Sequence, residues 1–225
     1  MKRNLLTPML AVAIFLGFGL SPSAQASVLL YNTGVSSEGI PLGPSESDAH
    51  WSIIYGPDIT EPISPVTLFE QNPFGLYAQS TGSRWIWAND SGLGPPDQFY
   101  GFRLTFYISS IAEASTLYIT GDWTVDNEGG ILLNGDVPSG TGVFELFSDN
   151  HGTFHSFSIT SGFIVGTNTL DFNIVDRGFP GGFNVTNLSA HSSIPEPSTS
   201  VFLVGYGAFL LVFARRRLSR KEAEL

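Results

Sequence analysis

Cysteine is absent from all 225 residues. Disulfides, thiol catalysis and thiolate-ligated zinc are therefore excluded, and a domain built from this chain must rest on its hydrophobic core. Basic residues are nearly absent from the interior. Between Ser27 and Ile194 there are three arginines, Arg84, Arg103 and Arg177, against 17 Asp and Glu, a net charge of −14. Such a body repels a phosphate backbone, which excludes nucleic acid as a partner and leaves divalent cations and neutral sugars. Solubility alone would also account for the acidity. Long Ala/Glu/Lys/Leu-rich stretches are missing too, while Gly, Ser, Thr, Asn and aromatics are frequent. That balance favours an all-β domain rich in turns. With both ends set aside, about 170 residues remain, enough for one domain with its own core.

The remaining bases sit at the two ends, beside the two long apolar runs. Lys2 and Arg3 precede an apolar stretch from Met9 to Leu20, and Ala24-Gln25-Ala26 follows. This is the three-part pattern of a secretory signal peptide over residues 1–26. Ala24 and Ala26 are the small residues that signal peptidase accepts in its narrow pocket, and Ser27 becomes the first mature residue.

At the other end, Pro195-Glu196-Pro197 precedes the uncharged run Val201 to Ala214 and then Arg215-Arg216-Arg217, with Arg220 and Lys221 beyond. The prolines fix φ and remove backbone donors, which keeps the strand around Glu196 extended and open to an enzyme. The apolar run spans about 21 Å as a helix, or about 27 Å if the helix starts near Pro197. That length is marginal for a permanent membrane span and sufficient for a transient stop. The arginines cannot cross a bilayer cheaply and stay on the cytoplasmic side.

These three parts, in this order and at the C-terminal end, resemble the PEP-CTERM sorting signal of exported bacterial proteins. The resemblance covers about 30 residues, taken as tail 191–225 with a helix at about 198–214 and a basic stop at 215–221. It implies an exosortase-like integral membrane transpeptidase as processing partner and a Gram-negative host that makes extracellular polysaccharide. It also implies a transient inner-membrane anchor with the body periplasmic, then delivery to the cell surface or beyond. An ordinary anchor behind a proline-containing linker is the competing reading.

In the body, 27–190, short alternating runs lie between turn-rich breaks such as Ser36 to Ser47, Pro57 to Pro65 and Gly92 to Pro96. Expected strands are Ser27 to Tyr31, Trp51 to Tyr55, Arg84 to Ala88, Phe99 to Ile108, Leu117 to Ile119, Gly130 to Leu133 and Val143 to Phe147. Three more are expected around Phe157, Phe172 and Phe183 to Leu188. Within Phe99 to Ile108 the residues Tyr100, Phe102, Leu104, Phe106 and Ile108 share one face. About ten strands at 8–15 residue spacing predict a jelly-roll type two-sheet β-sandwich. Asn134-Gly135 fits a type I′ hairpin turn. The runs Trp123 to Asn127, Ile131 to Gly135 and Gly166 to Leu170 are similar to segments of galactose-binding-like sandwiches.

Three clusters could carry chemistry. Asp122, Asp126, Asn127, Glu128, Asn134 and Asp136 place six oxygen donors within fifteen residues. Calcium is the ion such a run suits, although the same residue types also form turns. Trp85, Trp87 and Trp123, with Tyr100 and Tyr107, would stack on sugar rings if exposed, and would be core if not. His151 and His155, with Asp149 near, are spaced for one strand face, but a zinc pair there lacks a third ligand. No nucleophile-elbow, zinc-protease or phosphate-loop motif is legible. The chain therefore reads as a non-catalytic envelope or extracellular-matrix protein that binds polysaccharide. The alternative is a secreted carbohydrate-active enzyme, or its binding module, on the same delivery route.

Overall fold

Alternation of apolar and polar residues places one side of each long strand indoors, and two such sides face each other. The computed structural model describes residues 28–192, which form eleven strands and two short helical segments. In chain order the strands are β1 (Trp51–Tyr55), β2 (Val66–Thr67), β3 (Ile86–Trp87), β4 (Gln98–Ile108), β5 (Leu117–Asp126) and β6 (Glu128–Leu133). They continue as β7 (Ser139–Gly142), β8 (Glu145–Leu146), β9 (His155–Ser161), β10 (Gly166–Asp176) and β11 (Gly182–Ser192). One sheet has the order β1-β4-β10-β6-β8 and the other β2-β3-β11-β5-β9-β7, and every pairing is antiparallel. A six-residue helix, α1 (Ile111–Thr116), joins β4 to β5 across the two sheets. Among the described residues no helix is long and apolar enough to cross a membrane.

Strands β4 and β10 are the backbone of the first sheet, paired along eleven residues from Gly166 opposite Ile108 to Asp176 opposite Gln98. On β4 the expected face, Tyr100 to Ile108, is buried throughout, while Phe99 and Tyr107 point to solvent. On β10 the buried face is Leu170, Phe172 and Ile174. The second sheet answers with Ile119, Trp123 and Val125 from β5, Phe157 and Ile159 from β9, and Phe183 and Val185 from β11. Aromatic rings close the gap between the sheets. Phe172 lies 4.8 Å from Phe183 and 5.4 Å from Trp123, ring centre to ring centre, in tilted arrangements that suit the ring quadrupoles.

The Asn134-Gly135 turn forms as expected, with φ of 54° and 88° and reciprocal hydrogen bonds between Leu133 and Asp136. The runs Ile131 to Gly135 and Gly166 to Leu170 meet here. Asn134 Oδ1 accepts the Thr169 amide at 2.9 Å, and Asn134 Nδ2 donates to Asn168 Oδ1 at 2.9 Å. Buried Asn168 in turn donates to the carbonyls of Ile164 and Gly166. These asparagines lock the β6 turn to β10, which is a structural task.

The expected first strand at Ser27 to Tyr31 does not form over its described part, 28–31. That stretch is irregular, and Val28 and Leu30 pack against the core edge. Just beyond it Thr33 docks on β11, its amide donating to the Val185 carbonyl at 3.0 Å and its Oγ1 accepting the Val185 amide at 3.0 Å. A side-chain hydroxyl supplies the second bond that a continued ladder would have taken from the backbone. Tyr55 shows why one glycine is needed. Its ring lies across Gly101 on the neighbouring strand, where a Cβ would sit 2.3 Å from Tyr55 Cε1.

Candidate functional site

The chain passes from the second sheet to the first at Asn127, between β5 and β6. That crossing scatters the oxygen-rich run. Asp122 points outward from mid-β5, where it accepts hydrogen bonds from Ser156 Oγ and from Asn187 Nδ2 at 2.8 Å. Glu128 opens β6 and is gripped by Arg177 at 3.1 Å and 2.9 Å. Asp136 lies past the far end of β6, about 17 Å on by strand rise. A single calcium ion held jointly by Asp122, Asp126, Asn127, Glu128 and Asp136 is thus ruled out by topology: consecutive acids are sent to different sheets and different strand ends.

Only Asp126 of that run enters a cluster of ligand type. It ends β5 with 4% of its surface exposed, and its partners come from elsewhere. Asp149 and His151 on the turn between β8 and β9 bring one ligand atom each, all within 4.8 Å of one another and of Asp126. His151 Nδ1 is 3.5 Å from Asp126 Oδ1. The other carboxylate oxygen, Asp126 Oδ2, accepts from the Tyr77 hydroxyl at 2.6 Å. Burial pushes the Asp126 carboxyl upward, against the Tyr77 hydrogen bond and the His151 ring, which favour its charged form. Burial and the neighbouring Asp126 charge push the Tyr77 hydroxyl far above its ordinary range. His155 does not join. It begins β9 opposite Trp123, while His151 sits in the preceding turn, so the same-face spacing of a strand does not apply.

Tyr77 and Asp176 had no signal in the sequence. Tyr77 stands in a loop 49 residues before Asp126. Asp176 is fully buried at the end of β10, its Oδ1 accepting the Gly178 amide at 2.9 Å and its Oδ2 unpaired. Burial raises its carboxyl to about 6, and Asp126 and Asp97 push in the same direction. An unfolded Asp titrates near 3.9, so the folded state holds this proton more tightly. The group then favours folding most below about pH 4, and that favour is lost as pH rises from about 4 to about 6. Asp176→Asn keeps the acceptor for Gly178 and removes the buried charge. Urea titrations should find the variant more stable than wild type at pH 7.5, with the gap closing toward pH 4. A variant less stable at pH 7.5 would contradict this account.

The aromatic platform does not form from the tryptophans. Trp85, Trp87 and Trp123 are 1%, 0% and 0% exposed. Trp85 Nε1 donates to Ala78 O and Trp123 Nε1 to Val143 O, while the Trp87 ring packs 4.4 Å from Tyr100 and 5.5 Å from Phe102. Facing sheets cover these rings, so no sugar ring reaches them. Tyr100 is buried as well, and Tyr107 alone of the five is exposed. Three exposed phenylalanines gather elsewhere. Phe69, Phe74 and Phe179 are 72%, 75% and 57% exposed and line one cleft of about 420 Å³. Phe74 and Phe179 meet edge to face at 6.5 Å, and Glu70, Asp90 and Ser91 stand on the rim. Loops after β2 and β3 and before β11 converge to build it. The Phe69 amide donates to Asp90 O at 2.7 Å, and the Gly181 amide to Gly92 O at 2.9 Å.

Ala24, Ala26, Ser27, Pro195-Glu196-Pro197 and Arg215 to Arg217 lie outside the described residues.

No family model and no curated protein matches the chain. Among solved structures it is similar to a β-glucosidase from Kluyveromyces marxianus in complex with glucose, at 11% identity and a TM-score of 0.28 over 76% of this chain and 15% of that one. It is also similar to a family 35 carbohydrate binding module from an environmental isolate, at 12% identity and a TM-score of 0.33 over 67% of this chain and 96% of that one. The chain therefore spans less than a sixth of the glucosidase, and neither backbone is near enough to this one to bear on ligand or activity.

Proposed function

We propose that the chain is an exported, non-catalytic protein of a bacterial envelope or extracellular matrix. Its jelly-roll type sandwich would hold neutral polysaccharide in the Phe69–Phe74–Phe179 cleft. The cleft carries this reading. Three exposed phenylalanines gather in one concave place, and apolar clefts edged by polar groups are where ligands bind. Sugar C–H faces suit the rings, and sugar hydroxyls suit the acceptors Glu70 and Asp90. The body's net charge of −14 disfavours anionic polymers.

The delivery route rests on the terminal motifs. Signal peptidase would cleave after Ala26, the tail would park the body outside the inner membrane, and an exosortase-like enzyme would process it near Pro195-Glu196-Pro197. The alternative, a secreted carbohydrate-active enzyme, uses the same route.

The test is one set of strains and one assay. Full-length protein is expressed with its tail intact or with Pro195, Glu196 and Pro197 replaced by alanine, and the C-terminus of the extracellular product is read by mass spectrometry. Loss of Arg215 to Leu225 in the first strain and membrane retention in the second are expected; an intact tail on mature protein in both sinks the sorting part. On neutral glycan arrays the released protein should bind, and Phe74→Ala should bind about tenfold more weakly. Equal binding by Phe74→Ala would remove the cleft. Release of reducing ends would favour the enzyme.

A further inference from the structure

At the β5–β6 corner Asp126 Oδ1 and His151 Nδ1 are both enclosed and stand 3.5 Å apart, outside hydrogen-bond geometry. With the imidazole proton on Nε2, both atoms present lone pairs, and a cation between them would satisfy both. The separation is informative. Metal–oxygen and metal–nitrogen bonds of about 2.0–2.2 Å at tetrahedral angles place two donors about 3.3–3.6 Å apart. The third donor, a carboxylate oxygen of Asp149, falls within the same 4.8 Å sphere.

The surroundings hold these side chains in place. Asn127 Nδ2 donates to Asp149 Oδ1 at 2.7 Å, and the Tyr77 hydroxyl fixes Asp126 through its other oxygen at 2.6 Å. The His151 carbonyl accepts the Ala78 amide at 2.7 Å, and its ring lies 5.2 Å from the Tyr77 ring. Thr124 Oγ1 donates to Asn150 O at 2.6 Å, which ties the turn to β5 between the two ligand residues. Hydrogen bonds to the ligand groups and their neighbours orient them in the manner of an outer coordination shell.

The donor set also selects the ion. Calcium and magnesium take oxygen, calcium six to eight of them, whereas imidazole with carboxylates suits zinc and its transition-metal neighbours. We propose that Asp126, Asp149 and His151 form a site for a divalent transition-metal ion of the zinc class, which fastens the 148–151 turn to the end of β5. The proposal does not rest on the polysaccharide reading, and its failure would leave that reading standing.

The exported protein, stripped with chelator, is titrated with zinc chloride or calcium chloride alone, by calorimetry and by thermal unfolding. One zinc per chain is expected, with a rise in Tm of roughly 5–10 °C at a hundredfold excess over Kd. Calcium at the same concentration should give neither. Asp149→Asn and His151→Ala, both outside the core, should each lower zinc affinity at least tenfold. Asp122→Asn, Asp136→Asn and His155→Ala should leave it unchanged. No zinc-dependent shift in the wild type, equal response to calcium, or undiminished binding by the Asp149→Asn/His151→Ala double variant would each overturn the assignment.

Discussion

Phe172→Ala should cost about 3–5 kcal/mol of folding stability. Phe172 is fully buried at the centre of β10 and touches aromatic rings on four sides. Trp51 lies at 5.7 Å, Trp123 at 5.4 Å, Phe157 at 6.1 Å and Phe183 at 4.8 Å. Rigid rings held by two sheets cannot collapse into the space left behind, so the cavity persists and its cost adds to the lost transfer energy. Phe172→Leu should cost about 1.5 kcal/mol or less, since it keeps most of the volume. Phe99→Ala on the adjacent strand removes an exposed ring and should change stability by no more than about 0.5 kcal/mol. Urea midpoints of the three variants would check the ranking. A Phe172→Ala loss below about 1 kcal/mol would mean that the sheets do not close on this ring.

Arg103→Ala should cost about 2–3 kcal/mol, far beyond an ordinary surface ion pair. Arg103 and Asp171 are directly opposite each other on β4 and β10 and form a two-pronged pair, Nε to Oδ1 and Nη2 to Oδ2, both at 2.7 Å. Asp171 is only 4% exposed, whereas the Arg103 side chain is 36% exposed. The hydrogen bonds to Asp171 hold the guanidinium above its usual value. Removing the arginine strands a carboxylate in a place where water reaches it poorly. Water that can enter where the half-exposed guanidinium stood keeps the loss below that of a fully buried pair. The double variant Arg103→Met/Asp171→Leu removes both charges and should recover most of the stability. A double variant no more stable than Arg103→Ala would overturn this account.

The long strands were legible because their cause is local. Side chains on a strand alternate between faces, so Tyr100, Phe102, Leu104, Phe106 and Ile108 declare a buried side whatever lies opposite. The Asn134-Gly135 turn is legible for the same reason: both residues adopt positive φ and the loop needs nothing distant. Short edge strands such as β2 and β7 carry no such pattern. The six-residue α1 went unread although Ser110 caps it, accepting the Glu113 amide at 3.2 Å, because one turn of helix leaves too few positions for a period to show.

The candidate site divides along the same line. Its acids were visible as a run, yet counting oxygen donors along the chain misjudged which of them meet. The crossing at Asn127 sends Asp126 to one sheet and Glu128 to the other, and Arg177 then takes Glu128 out of play. The tryptophans were visible too, but a flat apolar ring serves a core and a sugar platform equally well.

By itself, then, the sequence determined the all-β character, the acidic and cysteine-free body, the hairpin at Asn134-Gly135, and the terminal signals from which export is proposed. Each of these follows from neighbouring residues or from composition. Tertiary structure alone decided that Trp85, Trp87 and Trp123 are walled in, that Phe69, Phe74 and Phe179 share a cleft, and that Asp126 meets Asp149, His151 and Tyr77. Those outcomes depend on which strand pairs with which and where loops far apart in the chain converge, and no local pattern of side chains encodes either.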